Sequence, residues 1–227
     1  MPKPTFFRLE EEKQEKIIEA CEQEFSSGPI HQSSIANIVK YADIPRGSFY
    51  QYFEDKDDAF YYICDTLIKD PENKFMELFK ANKGNLILTM EEFFDYFLDL
   101  VLKSKHAKLL KNIFMYMDYK RSSEIFDDLD VEKKKVKQIP GRKKQRYHQY
   151  EELIEIIDYS YLQISNLSEL KILLRLLFYT MHASINEVYR SDQMGKVVDI
   201  DNIKEEFNMK LNWIAYGVMK EKQEDRK

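Results

Sequence analysis

Between Ser33 and Lys56 the chain reads SSIANIVKYADIPRGSFYQYFEDK, a stretch that gathers side chains suited to gripping a polyanion. Arg46 offers a guanidinium fork that matches the O6 and N7 acceptors of guanine. Ser48, Tyr50 and Tyr52 offer hydroxyls, and Lys56 an ammonium, to phosphate oxygens. Gly47 among them lets another backbone approach closely. Chemistry of this kind needs its groups on one rigid face, and the neighbouring residues supply it. Ile35, Ile38, Val39 and Ala42 recur with the period of one apolar helical face. Ser34 stands ahead of that face as a cap for the first orphan amides. Ala42-Asp43-Ile44 is about one turn long, and Pro45 suits the first position of a second helix, where a missing N–H costs little. Phe49 and Phe53, four apart, pack that helix back on the first and leave Arg46, Ser48, Tyr50 and Tyr52 off the packed side. Two helices so joined form a helix-turn-helix, whose second member enters the DNA major groove by its N-terminal end. The expected contact set for double-stranded DNA is Ser34, Pro45, Arg46, Gly47, Ser48, Tyr50, Tyr52 and Lys56.

At these residues the chain resembles the tetracycline-repressor family of bacterial transcription regulators. The family pattern is a cap residue, an Ile-Ala-like pair, an Ala-Gly-Val turn, a Gly, an aromatic-Tyr pair, a Phe and a Lys. It falls here on Ser34, Ile38-Val39, Ala42-Asp43-Ile44, Gly47, Phe49-Tyr50, Phe53 and Lys56. Asp43 departs from it, replacing the usual Gly of the turn; Asp also reaches the left-handed region, less readily. The motif covers roughly the first quarter of the chain. The resemblance implies a repressor that binds a palindromic operator as a homodimer and is released by a small-molecule effector. It also implies a DNA-binding domain over residues 1–54 and a helical ligand-binding and dimerisation domain over 55–227. The segment FYQYFED is similar to haem-responsive efflux repressors of Gram-positive bacteria, but that similarity lies in the DNA-binding head and does not carry the ligand over; haem is a candidate effector only through the histidines weighed below.

Composition bounds the remainder. The 227 residues include only six Gly and six Pro and no long alternating segment, so an all-α fold is expected: a three-helix N-terminal head and a larger helical C-terminal domain. No run of 18 apolar residues and no basic-then-apolar leader is present, so a cytoplasmic chain without a membrane span is expected. Cys21 and Cys64 are far apart in helical patterns and read as reduced core thiols. The net charge of −5 runs against nucleic-acid binding, and residues 1–60 hold seven basic against twelve acidic side chains. Many of those acids belong to the first helix, from about Glu10 to Phe25, whose outer face lies beyond reach of phosphates across a Debye length of about 8 Å. Composition alone does not suggest DNA; the motif does.

Ser26-Ser27-Gly28-Pro29 ends the first helix, Glu54-Asp55 opens a long fourth one with Pro71 as a kink or a start within it, and Asn82-Lys83-Gly84-Asn85 breaks the pattern. Residues 88–120 form an aromatic and Met-rich helical pair. Its rings serve as core or as the adaptable wall of an effector cavity; Phe94, Phe97, Phe114, Met117 and His182 are the candidate ligand-binding residues. The run 132–146 has eight basic residues and one acid, and reads as a solvated loop, with a poorly placed second nucleic-acid contact or a site for an anionic effector or partner as the alternatives. Among the four histidines there is no His-x-x-x-His, so no local metal motif exists; His148 and His182 are either structural or a cross-helix axial pair for haem. Two late apolar bands, around Leu170–Val188 and Ile203–Val218, are broad enough to face both a core and a twin, with Leu177 and Ile214 assigned to the shared face. The alternative is a helical enzyme in which the helix-turn-helix is only structural. No paired catalytic carboxylates on a plausible cleft, Gly-rich phosphate loop, Gly-x-Ser-x-Gly elbow or Cys/His pair supports it, and no catalytic residue, metal site or resident cofactor is assigned.

Overall fold

The computed structural model describes residues 1–116 and 141–217, and among them the regular secondary structure is entirely helical. The head contains α1 (Glu11–Phe25), α2 (Ile35–Ala42) and α3 (Arg46–Tyr52). Then come α4 (Lys56–Ala81), α5 (Leu86–Lys103), α6 (Ala107–Tyr116), α7 (Gly141–Ile156), α8 (Leu167–Gln193) and α9 (Ile200–Tyr216). Short 3-10 turns occupy Phe6–Arg8, Ile30–Gln32 and Tyr159–Tyr161.

Capping side chains mark where these helices begin. Ser34 accepts from the Ala36 amide, Asp55 from Asp58, Asn85 from Leu88, Asn166 from Glu169 and Asp199 from Asn202. The turn between α2 and α3 is closed by Asp43 in the left-handed region, at φ 53° and ψ 50°. Pro45 precedes α3 as its cap residue rather than standing inside it. Pro71 lies buried within a continuous α4, so it neither starts nor ends a helix. The basic run also differs from expectation: residues from Gly141 onward already belong to α7, while 132–140 lie outside the described residues.

In the head, α1 packs on α2 and α4, and α2 on α3. Ile17, Cys21, Phe25, Ile38, Phe49 and Phe53 are fully buried between them. A seven-residue helix such as α3 is too short to persist alone, so its place depends on the burial of Phe49, Tyr52 and Phe53. In the larger domain α5 is central, contacting α4, α6, α8 and α9, while α7 lies on α4. Both thiols are free and buried, and burial pushes the Cys21 pKa up to about 12.

Candidate DNA-binding head and effector region

The outward face of α3 is built by helix periodicity. With Phe49 and Phe53 turned inward, Pro45, Arg46, Gly47, Tyr50 and Gln51 remain exposed and Ser48 half-buried. Gly47 has an ordinary helical φ, and a Cβ added there would meet no atom within 4 Å. The fold itself therefore does not require glycine at this position. Tyr52 corrects the sequence expectation: its ring is buried beside Phe6, centroids 6.2 Å apart, and it stands on the packed side of α3. Its spacing of three from Phe49 places it on the same helical face, a signal present in the sequence. Gln51, which sequence reasoning passed over, is exposed instead, four residues after Gly47 and next to Tyr50.

Ser34 and Lys56 are brought together at the start of α2. The Lys56 ammonium donates to the carbonyls of Ser33 at 2.9 Å and His31 at 3.4 Å. From the other side, buried Glu24 accepts from the Ser34 amide at 2.7 Å and from Asn37 Nδ2 at 3.2 Å. The N-terminus of α2 is thus pinned to α1 by a carboxylate and to α4 by an ammonium.

In the larger domain three of the five expected ligand-binding residues meet. Phe114 of α6 stacks on His182 of α8 with centroids 4.8 Å apart, and Phe97 of α5 lies 5.9 Å from Phe114. Phe94 faces elsewhere, stacked on Phe207 of α9 at 3.8 Å, and Met117 lies outside the described residues. The His182 Nδ1 pairs with Asn186 Nδ2 at 3.1 Å, whose N–H₂ donates, so the imidazole proton belongs on Nε2. Burial holds the His182 pKa below its ordinary value, which keeps the ring neutral. The Asn186 carbonyl oxygen is buried with no hydrogen-bond partner among the described residues. His148 lies far more in the open on α7 and pairs with Glu151 at 3.4 Å. Among the described residues, no group of three or more His, Cys, Asp or Glu could hold a metal ion.

Helix α6 joins the two regions. Asn112 Nδ2 donates to the carbonyls of Phe25 at 3.0 Å and Gly28 at 3.3 Å, at the end of α1. Just before α6, His106 Nδ1 stands 2.9 Å from Glu22 Oε2. One short helix thus touches α1 through Asn112 and carries, two residues on, the ring that stacks on His182.

Comparison with known proteins decides what this pairing belongs to. Residues 17–61 match the model of bacterial regulatory proteins, tetR family, and residues 85–218 match that of the tetracyclin repressor-like C-terminal domain. The chain belongs to the tetracycline-repressor family. It is a transcription regulator of that family, with the helix-turn-helix expected from residues 33–56. No curated protein sequence matches it. Among solved structures, a proposed fatty acid metabolism regulator of Clostridium perfringens is similar, with a TM-score of 0.53 at 16% identity. The transcriptional regulator FadR from Bacillus subtilis, in complex with stearoyl-CoA, gives 0.50 at 17% identity. Each alignment covers 90% of this chain and 99% of the other. At such identities the likeness shows the fold.

Proposed function

We propose that this regulator is a repressor, not an enzyme, that binds a palindromic operator as a cytoplasmic homodimer and leaves it when a small apolar effector enters the helical domain. Residues 1–54 form the reading head and 55–227 the effector and dimerisation domain in this reading. The observation that carries it is the exposed face of α3, where Arg46, Tyr50 and Gln51 surround a glycine that the fold does not need. An open notch between long polar side chains suits the close approach of a phosphate backbone. Arg46 at the N-terminal end takes guanine, Gln51 is suited to adenine, and Ser34, Ser48, Tyr50 and Lys56 hold phosphates. Two of the three Lys56 N–H groups are engaged, which leaves one to point outward.

The effector is proposed to lie beside Phe97, Phe114 and His182. An Nε2–H donor and the Asn186 carbonyl, which has no partner among the described residues, would receive its one polar end. A ligand that parts Phe114 from His182 displaces α6, and Asn112 passes the shift to α1. Such a ligand releases DNA if it binds the displaced state better. No described helix is long and apolar enough to cross a membrane, in accord with a cytoplasmic site of action.

The test is titration of selected operator duplexes with wild type and two variants. Arg46→Ala should cost about 1–3 kcal/mol and relax preference at one base position per half-site. Lys56→Ala should weaken all sequences alike and reduce the salt slope by about one per subunit. Wild-type affinity in both variants would remove the reading head from α3. Adding haem and stearoyl-CoA to the same titration tests which kind of effector releases the complex.

A further inference from the structure

The last turn of α3 is held from outside the helix. Of its final four carbonyls, Phe49 O accepts from the Phe53 amide at 2.9 Å. The other three are taken by the N-terminal segment. Lys3 Nζ donates to Tyr50 O at 2.8 Å, the Lys3 amide to Tyr52 O at 2.7 Å, and Thr5 Oγ1 to Gln51 O. A helix end normally leaves such carbonyls to water or to a left-handed glycine. Here they are met by residues 46 or more positions earlier in the chain, with a cation at the negative end of the helix.

The segment is itself anchored. Phe6 is fully buried, 5.3 Å from the Phe53 ring and 5.6 Å from Tyr62. A short turn fixes the approach, with the Phe6 amide donating to Lys3 O at 2.9 Å and the Leu9 amide to Phe6 O at 3.1 Å. Lys3 and Thr5, by contrast, are exposed, and their bonds add little to core stability. The carbonyls they hold belong to Tyr50 and Gln51, the residues whose side chains face outward.

We infer that Lys3 and Thr5 are positioning residues for DNA recognition. They clamp the C-terminal turn of the reading helix, so that Tyr50 and Gln51 are ordered before DNA arrives. This rests on α3 being the reading helix. Ordering paid in advance raises affinity without a new contact. It acts on sequence-specific binding, because a duplex held by charge alone does not need the helix end in register.

The experiment uses the full chain with the double change Lys3→Met and Thr5→Val, which keeps both stems and removes both side-chain donors. A Lys3→Arg protein serves as the rescue. Operator affinity should fall about five- to tenfold in the double variant, while affinity for a scrambled duplex and the salt slope stay unchanged. Amide exchange at residues 50–53 of the free protein should quicken, and Lys3→Arg should behave as wild type. Unchanged operator affinity overturns the clamp, as does unchanged exchange. Equal loss on both duplexes with a flatter salt slope also overturns it, by making Lys3 a direct phosphate contact. Arg46→Ala, measured alongside, separates the two readings. Loss there with none in the double variant removes the clamp alone, whereas no loss in either removes the reading helix and the clamp with it.

Discussion

At the residue scale, Gly47 sets stability and binding against each other. A helical glycine costs about 0.5–1 kcal/mol relative to alanine, and nothing among the described residues fills the space its Cβ would take. Gly47→Ala should therefore stabilise the free protein by that amount, raising the thermal midpoint by about 2 °C for a chain of this size. The same methyl should weaken operator binding by about tenfold or more if a phosphate backbone lies against the notch. An alanine protein that binds like wild type, or melts lower, would defeat this reading. His182 makes a second prediction, through pH. Burial lowers its pKa in the fold below the ordinary 6.5. The unfolded chain then takes up a proton that the folded chain refuses, so the contribution is full above pH 6.5 and is lost as pH falls through the lower folded value. As pH falls below 6.5, wild type should lose stability more steeply than His182→Phe. Identical slopes in chemical denaturation would sink the claim that this ring is buried neutral.

At the element scale, the turns carry the most information. Asp43 in the left-handed region bears a strain of roughly 1–2 kcal/mol, and its ion pair with Lys16, 3.7 Å long between exposed side chains, returns little of it. Gly84 is a stricter case. It has φ 80°, its carbonyl accepts from the Asp158 amide at 3.1 Å, and a Cβ would fall 2.2 Å from Ile156 O. The obstacle is backbone and cannot swing aside. Gly84→Ala should destabilise by at least about 2 kcal/mol and lower the midpoint by about 5 °C or more. A midpoint within a degree or so of wild type would show that the junction of the α4–α5 turn with the end of α7 gives way easily. The breaks around Gly28 and Gly84, and the start of α4 after Asp55, were legible because caps and breakers are local signals. The placement of α3 was legible only in part. Phe49 and Phe53 reveal its inner face, but the hold on its far end comes from Lys3 and Thr5, a contact that leaves no period in the sequence. The inward face of Tyr52 was legible from its spacing of three from Phe49, whereas its partner Phe6 lies in a segment without helical pattern.

For the whole molecule, the question is which apolar surface is left for a twin. The two late helices were legible as broad apolar bands, and α8 and α9 do pack on each other. Breadth alone did not say which residues face inward. Leu177 is fully buried and Ile214 half-buried, so Leu177 is core and a charge there would unfold the chain rather than divide a dimer. The outward positions are one step round the helix. Ile172 and Leu176 on α8 are 65% and 46% exposed, and Met209 and Trp213 on α9 are 45% and 50%. Each pair is four residues apart, hence one stripe per helix, and in the homodimer proposed above these stripes are the surfaces assigned to meet their copies across a twofold axis. Substitution at these sites leaves the monomer core untouched, which makes the test clean. Ile172→Glu combined with Trp213→Glu places four carboxylates across a twofold interface. Light scattering should then report the mass of one chain where wild type reports two, with helical content and thermal cooperativity retained. The operator should lose far more affinity than a single half-site does, because binding of the two heads is no longer linked. A folded double variant that keeps the mass of two chains would place the twin on another surface.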